Sequence, residues 1–262
     1  MIKIKNRAIL VFFINVVLIL LIGCTIKPTK HNNLNTLLIS LESNADQEDY
    51  EDEYDSYEEE QVAIYDPLES LNRIMFKFND KFYFWTLKPV AEKYKKFVPE
   101  IVRLGFHNFF NNCETPVRFV NAGLQIKPGA AGSELSRFII NTSIGFLGFI
   151  DTASKLTNLK PAHEDFGQTL GKYQVGNGLY LVLPFLGPSS LRDLAGNTLD
   201  SFLTPLSYVE PIPLNIGIKG LFVVNNTSFK IGEYEALKQA AFEPYDALKD
   251  AYVQMRTKMI SK

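Results

Sequence analysis

The chain has 262 residues, 46% of them hydrophobic and 21% charged, which suffices for one large domain or two small ones. A formal net charge of -2 conceals segregation: residues 42–60 hold 11 of the 29 acids and no Lys or Arg, whereas residues 61–262 hold 22 basic and 18 acidic side chains. That surplus is too small to point to nucleic acid, two cysteines cannot staple a scaffold, and a single long apolar run excludes a polytopic membrane protein.

Lys3, Lys5 and Arg7 precede an apolar run over residues 8–22, broken once by Asn15. This is the layout of a secretory signal. The run ends in Leu21-Ile22-Gly23-Cys24, a small residue before a Cys, which is the bacterial lipobox pattern. It predicts cleavage before Cys24 and acylation of that residue. The run is shorter than the roughly 20 residues a spanning helix needs, which argues against an uncleaved anchor. Several acyl chains, at about 0.8 kcal/mol per buried methylene, hold a protein to a bilayer permanently. Thr25, where an Asp commonly retains lipoproteins at the inner membrane, favours the outer membrane. With Cys24 acylated, Cys113 has no intrachain partner and reads as a buried free thiol. Residues 25–61 are polar, acidic and aperiodic, the composition of a disordered tether.

The body begins at Tyr65. Asp66-Pro67 predicts an N-cap with Pro at the first helical position. Leu68, Leu71, Met75, Phe78, Phe82 and Trp85 then recur at helical spacing. Lys88-Pro89 is expected to end that helix, with a second over residues 91–97. Pro99 opens a helix through Phe110, stopped by Asn111-Asn112. Further helices are expected over residues 116–125 and 128–140. Residues 141–151 are almost wholly apolar yet contain Gly145 and Gly148, and each Gly costs a helix about 1 kcal/mol relative to Ala. That predicts a bent, loop-like stretch. Residues 164–170 suit a short helix closed by Gly171, and Gly176-Asn177-Gly178 a turn. Residues 180–188 are apolar, but Pro184 argues against a strand. Pro188 is expected to begin a helix to about Phe202. Pro205, Pro211 and Pro213 punctuate an irregular connection before closing helices over residues 214–225, 228–242 and 244–259. The fold class is therefore mostly α: a helical body with no sizeable β-sheet. The expected division is a signal peptide over 1–23, an acylated Cys and acidic tether over 24–61, and the helical body over 62–262.

The sequence offers no nucleophile elbow, Walker A loop or complete dinucleotide fingerprint. His31, His107 and His163 have no metal-ligand spacing. No catalytic residue, metal or cofactor is expected. His163-Glu164-Asp165 are adjacent and do not converge on a helix face. Ser189 and Ser190 read as hydroxyls at a helix start.

Tyr65-Asp66-Pro67-Leu68-Glu69-Ser70-Leu71-Asn72-Arg73-Ile74-Met75-Phe76-Lys77-Phe78-Asn79 resembles the opening signature of the MlaA (VacJ) lipoprotein family. Further stretches fit in the same order: Arg137-Phe138 with Asn141-Thr142 and residues 145–151; Glu164-Asp165-Phe166-Gly167-Gln168-Thr169-Leu170-Gly171; Gly176-x-Gly178-x-Tyr180; and Leu183-Pro184-Phe185-x-Gly187-Pro188-Ser189-Ser190-Leu191-Arg192-Asp193. The long acidic tether departs from the family's usual arrangement, in which the body starts soon after the Cys. The resemblance implies a ring-like helical body in the inner leaflet of the outer membrane, on its periplasmic face, with an amphipathic channel, often beside a trimeric porin. It implies removal of phospholipid mislocalised in the outer leaflet and its delivery to a periplasmic carrier. The alternatives are a periplasmic phospholipase, for which Ser189 and His163 are the one plausible pair, and a structural surface lipoprotein.

On the transport reading Phe76, Lys77 and Phe82 are candidate membrane contacts, with Lys77, Lys81 and Lys88 placed to reach phosphates. Gly145, Phe146, Gly148 and Phe149 are candidates for the channel wall or a hinge. Arg192 is either a phosphate contact or a buried ion-pair member. Its partner is expected at Glu164 or Asp165 rather than at the adjacent Asp193.

Overall fold

A computed structural model describes residues 66–157 and 159–262; the signal sequence, Cys24 and the acidic tether lie outside the described residues. Helix α1, Glu69–Phe82, carries Glu69 in its first turn and Lys81 in its last, both matched to the helix dipole. Asp66 does not cap it. The cap position is Leu68, without a side-chain bond. The Asp66 carboxylate instead accepts hydrogen bonds from Asn72 Nδ2 at 2.8 Å and from the Tyr245 hydroxyl, with Lys249 3.7 Å away. Pro89 does not end the helix either. Residues Tyr83–Leu87 form a π-helical turn that leads into α2, Lys88–Phe97. A proline lacks the N–H for the carbonyl four residues back and crowds it, and the wider π turn over those residues accommodates both effects.

Helix α3, Glu100–Cys113, runs through Asn111 and Asn112. Their side chains bond sideways, to His107 Nε2 at 2.9 Å and Thr142 Oγ1 at 3.0 Å, so they do not compete with the helix backbone as free Asn side chains do. Next come α4 (Thr115–Leu124), α5 (Pro128–Ser143), α6 (Thr152–Thr157) and α7 (Phe166–Lys172). Gly171 lies within α7 rather than closing it.

The stretch in which Pro184 argued against a strand is a β-hairpin. Strand β1, Tyr180–Leu183, pairs antiparallel with β2, Gly187–Ser190. Pro184 escapes the ladder because it sits in the connecting turn, and Pro188 lies opposite Val182 in a two-stranded sheet, where every strand is an edge. Helix α8, Leu191–Asp200, therefore starts after Pro188, capped by Ser190, whose hydroxyl accepts from the Asp193 N–H at 3.1 Å. After a 3-10 turn at Pro205–Tyr208 come α9 (Ile212–Phe229), α10 (Glu233–Ala240) and α11 (Pro244–Ser261). Ser228, expected to open a helix, lies inside α9. The body is mostly α, and this hairpin is the one sheet among the described residues.

Helix α4 packs on α5, α7 on α8, α9 on α2 and α3, and α11 on α7 and β2. The interior they enclose is polar. Among the described residues nine apolar side chains are buried against twenty-one polar or charged ones, and of the six largest that are fully buried only Tyr245 is not charged, amide or hydroxyl-aliphatic. Conversely, large apolar side chains crowd the surface, including Trp85, Phe97, Ile101, Ile126, Leu186 and Phe242. A protein solvated by water alone buries such groups. No helix among the described residues is long and apolar enough to cross a membrane.

Candidate functional site

A cavity of about 660 Å³ opens between the C-terminal ends of α3 and α8, the start of α4, the segment before α7, and α9. That is within the range of sites that enclose a small molecule. Phe110, Val117, Leu206, Phe222, Val223 and Met259 give it an apolar wall, and Glu114, Arg118, Glu164, Asp165, Asp200 and Lys219 line the remainder. The cavity is thus amphipathic.

Its polar side is fixed by buried bonds. Arg118 Nε donates to Glu134 at 2.7 Å, and Nη2 donates to the Asn111 carbonyl at 2.8 Å. Glu134 is fully buried and also accepts from the Ala162 N–H at 2.6 Å, so one carboxylate ties α4, α5 and the cavity lip together. Asp200 accepts from Asn121 Nδ2 at 2.8 Å and from the Phe166 N–H at 2.9 Å. Burial raises its carboxyl above the ordinary value. Burial, assisted by Arg118, lowers the His163 imidazole, which favours its neutral form.

Beside the cavity, Arg256 of α11 clamps two helices. It donates to Asp165 at 2.6 and 2.9 Å and to Asp193 at 2.8 and 2.9 Å. Burial would raise both carboxyls, but the bonds from Arg256 outweigh it and hold them low. Arg192 is buried and ion-paired, but its partner is the neighbouring Asp193, at 3.0 Å, not Glu164 or Asp165. The expectation failed because Arg256 occupies Asp165 and Lys127 takes Glu164 at 2.9 Å. A lone Arg in a late, mostly polar helix gives no local sign of such a role, and the sequence reading missed it.

Of the stretch at 141–151 expected to bend, residues 141–143 close α5 and residues 144–151 form the bent, apolar segment. Phe146, Leu147 and Gly148 all have positive φ, at 52°, 58° and 95°. A Cβ on Gly145 would lie 2.2 Å from the Ile150 carbonyl oxygen, and one on Gly148 would lie 2.5 Å from Asn112 Cβ. Both positions therefore require glycine. The loop's base is ionic: Arg137 meets Asp151 at 3.1 Å, and Asn141 donates to Asp151 at 3.0 Å. Phe149 stacks on Phe109 at 5.0 Å, while Phe146 projects outward, 73% exposed. None of Gly145, Phe146, Gly148 and Phe149 lines the large cavity.

Of the other expected site residues, Phe76 turns inward and meets Tyr245 edge-on at 5.8 Å. Lys77 is exposed, and Phe82 packs on Phe185 at 4.9 Å. Lys88 is engaged with Glu235 at 2.8 Å. Exposed apolar groups of the same stretch are Leu71, Ile74, Phe78 and Trp85. Ser189 is buried in β2 with its hydroxyl donating weakly to the Ser190 carbonyl at 3.4 Å, whereas His163 lines the cavity and Ser189 does not. Cys113 is a free, partly buried thiol, and burial pushes its pKa up.

Two asparagines of α1 went unnoticed in the sequence. Asn72 donates to the Tyr180 carbonyl at 3.0 Å and accepts from the Val182 N–H at 2.9 Å. Asn79, two turns on, donates to the Leu183 carbonyl at 2.9 Å and accepts from the Phe185 N–H at 2.7 Å. Together they clasp the hairpin; an amide at seven-residue spacing within a greasy helix was the available signal.

The family described as MlaA lipoprotein matches residues 64–259. The chain is 36% identical over 197 residues to the intermembrane phospholipid transport system lipoprotein MlaA of Escherichia coli, covering 72% of this chain and 76% of that protein. It is 34% identical over 195 residues to the protein of the same description from Haemophilus influenzae, covering 72% of this chain and 76% of the relative. A protein of Rickettsia conorii is 31% identical over 229 residues, covering 85% of this chain and 91% of its own length. A solved structure, described as the structural basis for maintenance of bacterial outer membrane lipid asymmetry, superposes with a TM-score of 0.68 at 34% identity. That superposition covers 75% of this chain and 99% of the solved one.

Proposed function

The chain belongs to the MlaA lipoprotein family, and from that premise we propose that it removes mislocalised phospholipid from the outer leaflet of the bacterial outer membrane. In this reading residues 1–23 are cleaved, Cys24 is acylated, residues 24–61 form the tether, and a ring-like body over 62–262 sits on the periplasmic face. The cavity between α3, α8 and α9 is the lipid's route to a periplasmic carrier, and a trimeric porin stands beside the body. The reading is of transport, without a chemical step.

The observation that carries it is the inversion of the body: a polar, bonded interior around an amphipathic cavity, beneath an apolar surface. Phospholipid has the same two-sided character, and a bilayer is the solvent in which exposed Trp85, Phe97 and Ile101 cost nothing. The membrane contact proposed for the first helical stretch falls to its exposed members, Ile74, Phe78 and Trp85, with Lys77 at head-group level.

The test is outer-leaflet phospholipid in cells lacking the protein. Phospholipid should accumulate there, wild-type protein should clear it, and a cavity-filling Val223→Trp variant of normal abundance should fail to. Clearance by a folded Val223→Trp protein would overturn the route, and unchanged lipid in the deletion strain would overturn the function.

A further inference from the structure

Charge in the cavity wall is unevenly compensated. Resting on the lipid-route reading above, we propose that the cavity selects phospholipids whose head group carries an ammonium, as ethanolamine does, over net-anionic glycerol head groups. Four carboxylates line it, those of Glu114, Glu164, Asp165 and Asp200, against the cations Arg118 and Lys219.

Pairing within the protein leaves three of the four with unspent capacity. Asp165 is fully engaged by Arg256, at 2.6 and 2.9 Å. Glu164 gives Oε1 to Lys127 at 2.9 Å, but its Oε2 is buried without a hydrogen-bond partner on a residue only 8% exposed. Asp200 accepts only from neutral donors, the Asn121 amide and the Phe166 N–H. Glu114 lies 3.7 Å from Arg118, whose shortest bond goes to Glu134 at 2.7 Å. Burial raises both the Glu114 and the Asp200 carboxyls above their ordinary values, and an incoming cation relieves that penalty. Lys219, on α9, has no ion pair among the described residues.

An ethanolamine phospholipid complements this wall with one positive and one negative group. Its ammonium meets the carboxylates, and its phosphate meets Lys219. A glycerol head group offers hydroxyls to the carboxylates while its phosphate adds to their negative field.

The experiment uses the full-length acylated protein in detergent. It is incubated with an equimolar mixture of phosphatidylethanolamine and phosphatidylglycerol, and retained lipid is measured by mass spectrometry. Wild-type protein should enrich the ethanolamine lipid about fivefold, roughly what one partly exposed ion pair supplies. Glu114→Gln, which removes no hydrogen bond, should lower that ratio, and Glu164→Gln should lower it independently. Lys219→Gln should reduce retention of both lipids. Retention at the input ratio, or a preference for the glycerol lipid, would overturn the head-group proposal and leave the route standing. Undiminished preference in both folded carboxylate variants would overturn the assignment to these residues. No retained phospholipid in wild-type protein would overturn the route itself.

Discussion

Residues 144–151 and the hairpin built on β1 and β2 are both apolar, glycine-bearing and exposed at their tips, yet they keep their shapes by opposite means. The loop satisfies its backbone internally: the Gly148 N–H reaches the Asn141 carbonyl at 2.8 Å, and the Ile150 N–H reaches Gly145 at 2.9 Å. Its support is ionic, Arg137 against Asp151. The hairpin shares its backbone groups with its own ladder and with the neutral amides of Asn72 and Asn79. Irregular backbone kept from water must find its partners within protein, and these are two solutions. One leans on a charge pair; the other leans on borrowed neutral amides.

The largest separation should come from added methyl groups. Gly145→Ala with Gly148→Ala forces a Cβ against the Ile150 carbonyl and another against Asn112, and should cost roughly 3 kcal/mol or more, seen as a large fall in Tm. Gly187→Ala in the hairpin meets no neighbour within 4 Å and strains only a φ of 82°, so about 1–2 kcal/mol is expected. Equal losses at the two sites would erase the distinction. The structure thus assigns Gly145 and Gly148 a role in stability that a stabilised, folded double mutant would refute.

Removing a borrowed clasp comes next. Asn72→Ala strands the Tyr180 carbonyl and the Val182 N–H in a buried site and should cost about 2–4 kcal/mol. Asn79→Ala, at the open end, should cost about 1 kcal/mol and be read best as faster amide exchange at Phe185 with little change in the loop. If Asn79→Ala also released the loop, the two segments would be one cooperative unit.

Acid gives the finest discrimination. Burial tends to raise the Asp151 carboxyl, but bonds from Ser154, Asn141 and Arg137 outweigh it, and its pKa falls below the ordinary 3.8. A carboxyl depressed by folding contributes stability that is full above its unfolded value and lost as pH falls through the folded one. Below about pH 4 the loop's amides should therefore lose protection while the Asn79 clasp, which has no titratable group, holds the hairpin tip.

These two segments also mark how far the sequence could be read. The loop was legible because glycines within an apolar run have one local meaning, and the helices with Pro116 and Pro128 in their first turn were legible because proline suits that position. The hairpin was misread because Pro184 forbids a ladder bond only where a ladder passes, and the chain places it in the turn. The π turn before Pro89 and the clasp of Asn72 and Asn79 depend on partners about a hundred residues away or on a neighbouring strain. The cavity was invisible, since its wall gathers side chains from α3, α4, α8, α9 and α11, and no window of sequence holds them together. For Arg192 the sequence left a phosphate contact and a buried ion pair both open, and choosing the partner required knowing that Arg256 had already taken Asp165.

That clamp has a consequence for how the molecule comes into being. A chain made from its N-terminus folds in that order, and α7 and α8, with Asp165 and Asp193, are complete before residue 256 has followed. Until the last helix arrives, Asp165 lacks its cation and Asp193 has only the adjacent Arg192, at the seam between α7 and α8. The seam therefore locks only when the chain's latest segment supplies the cation that Asp165 and Asp193 share.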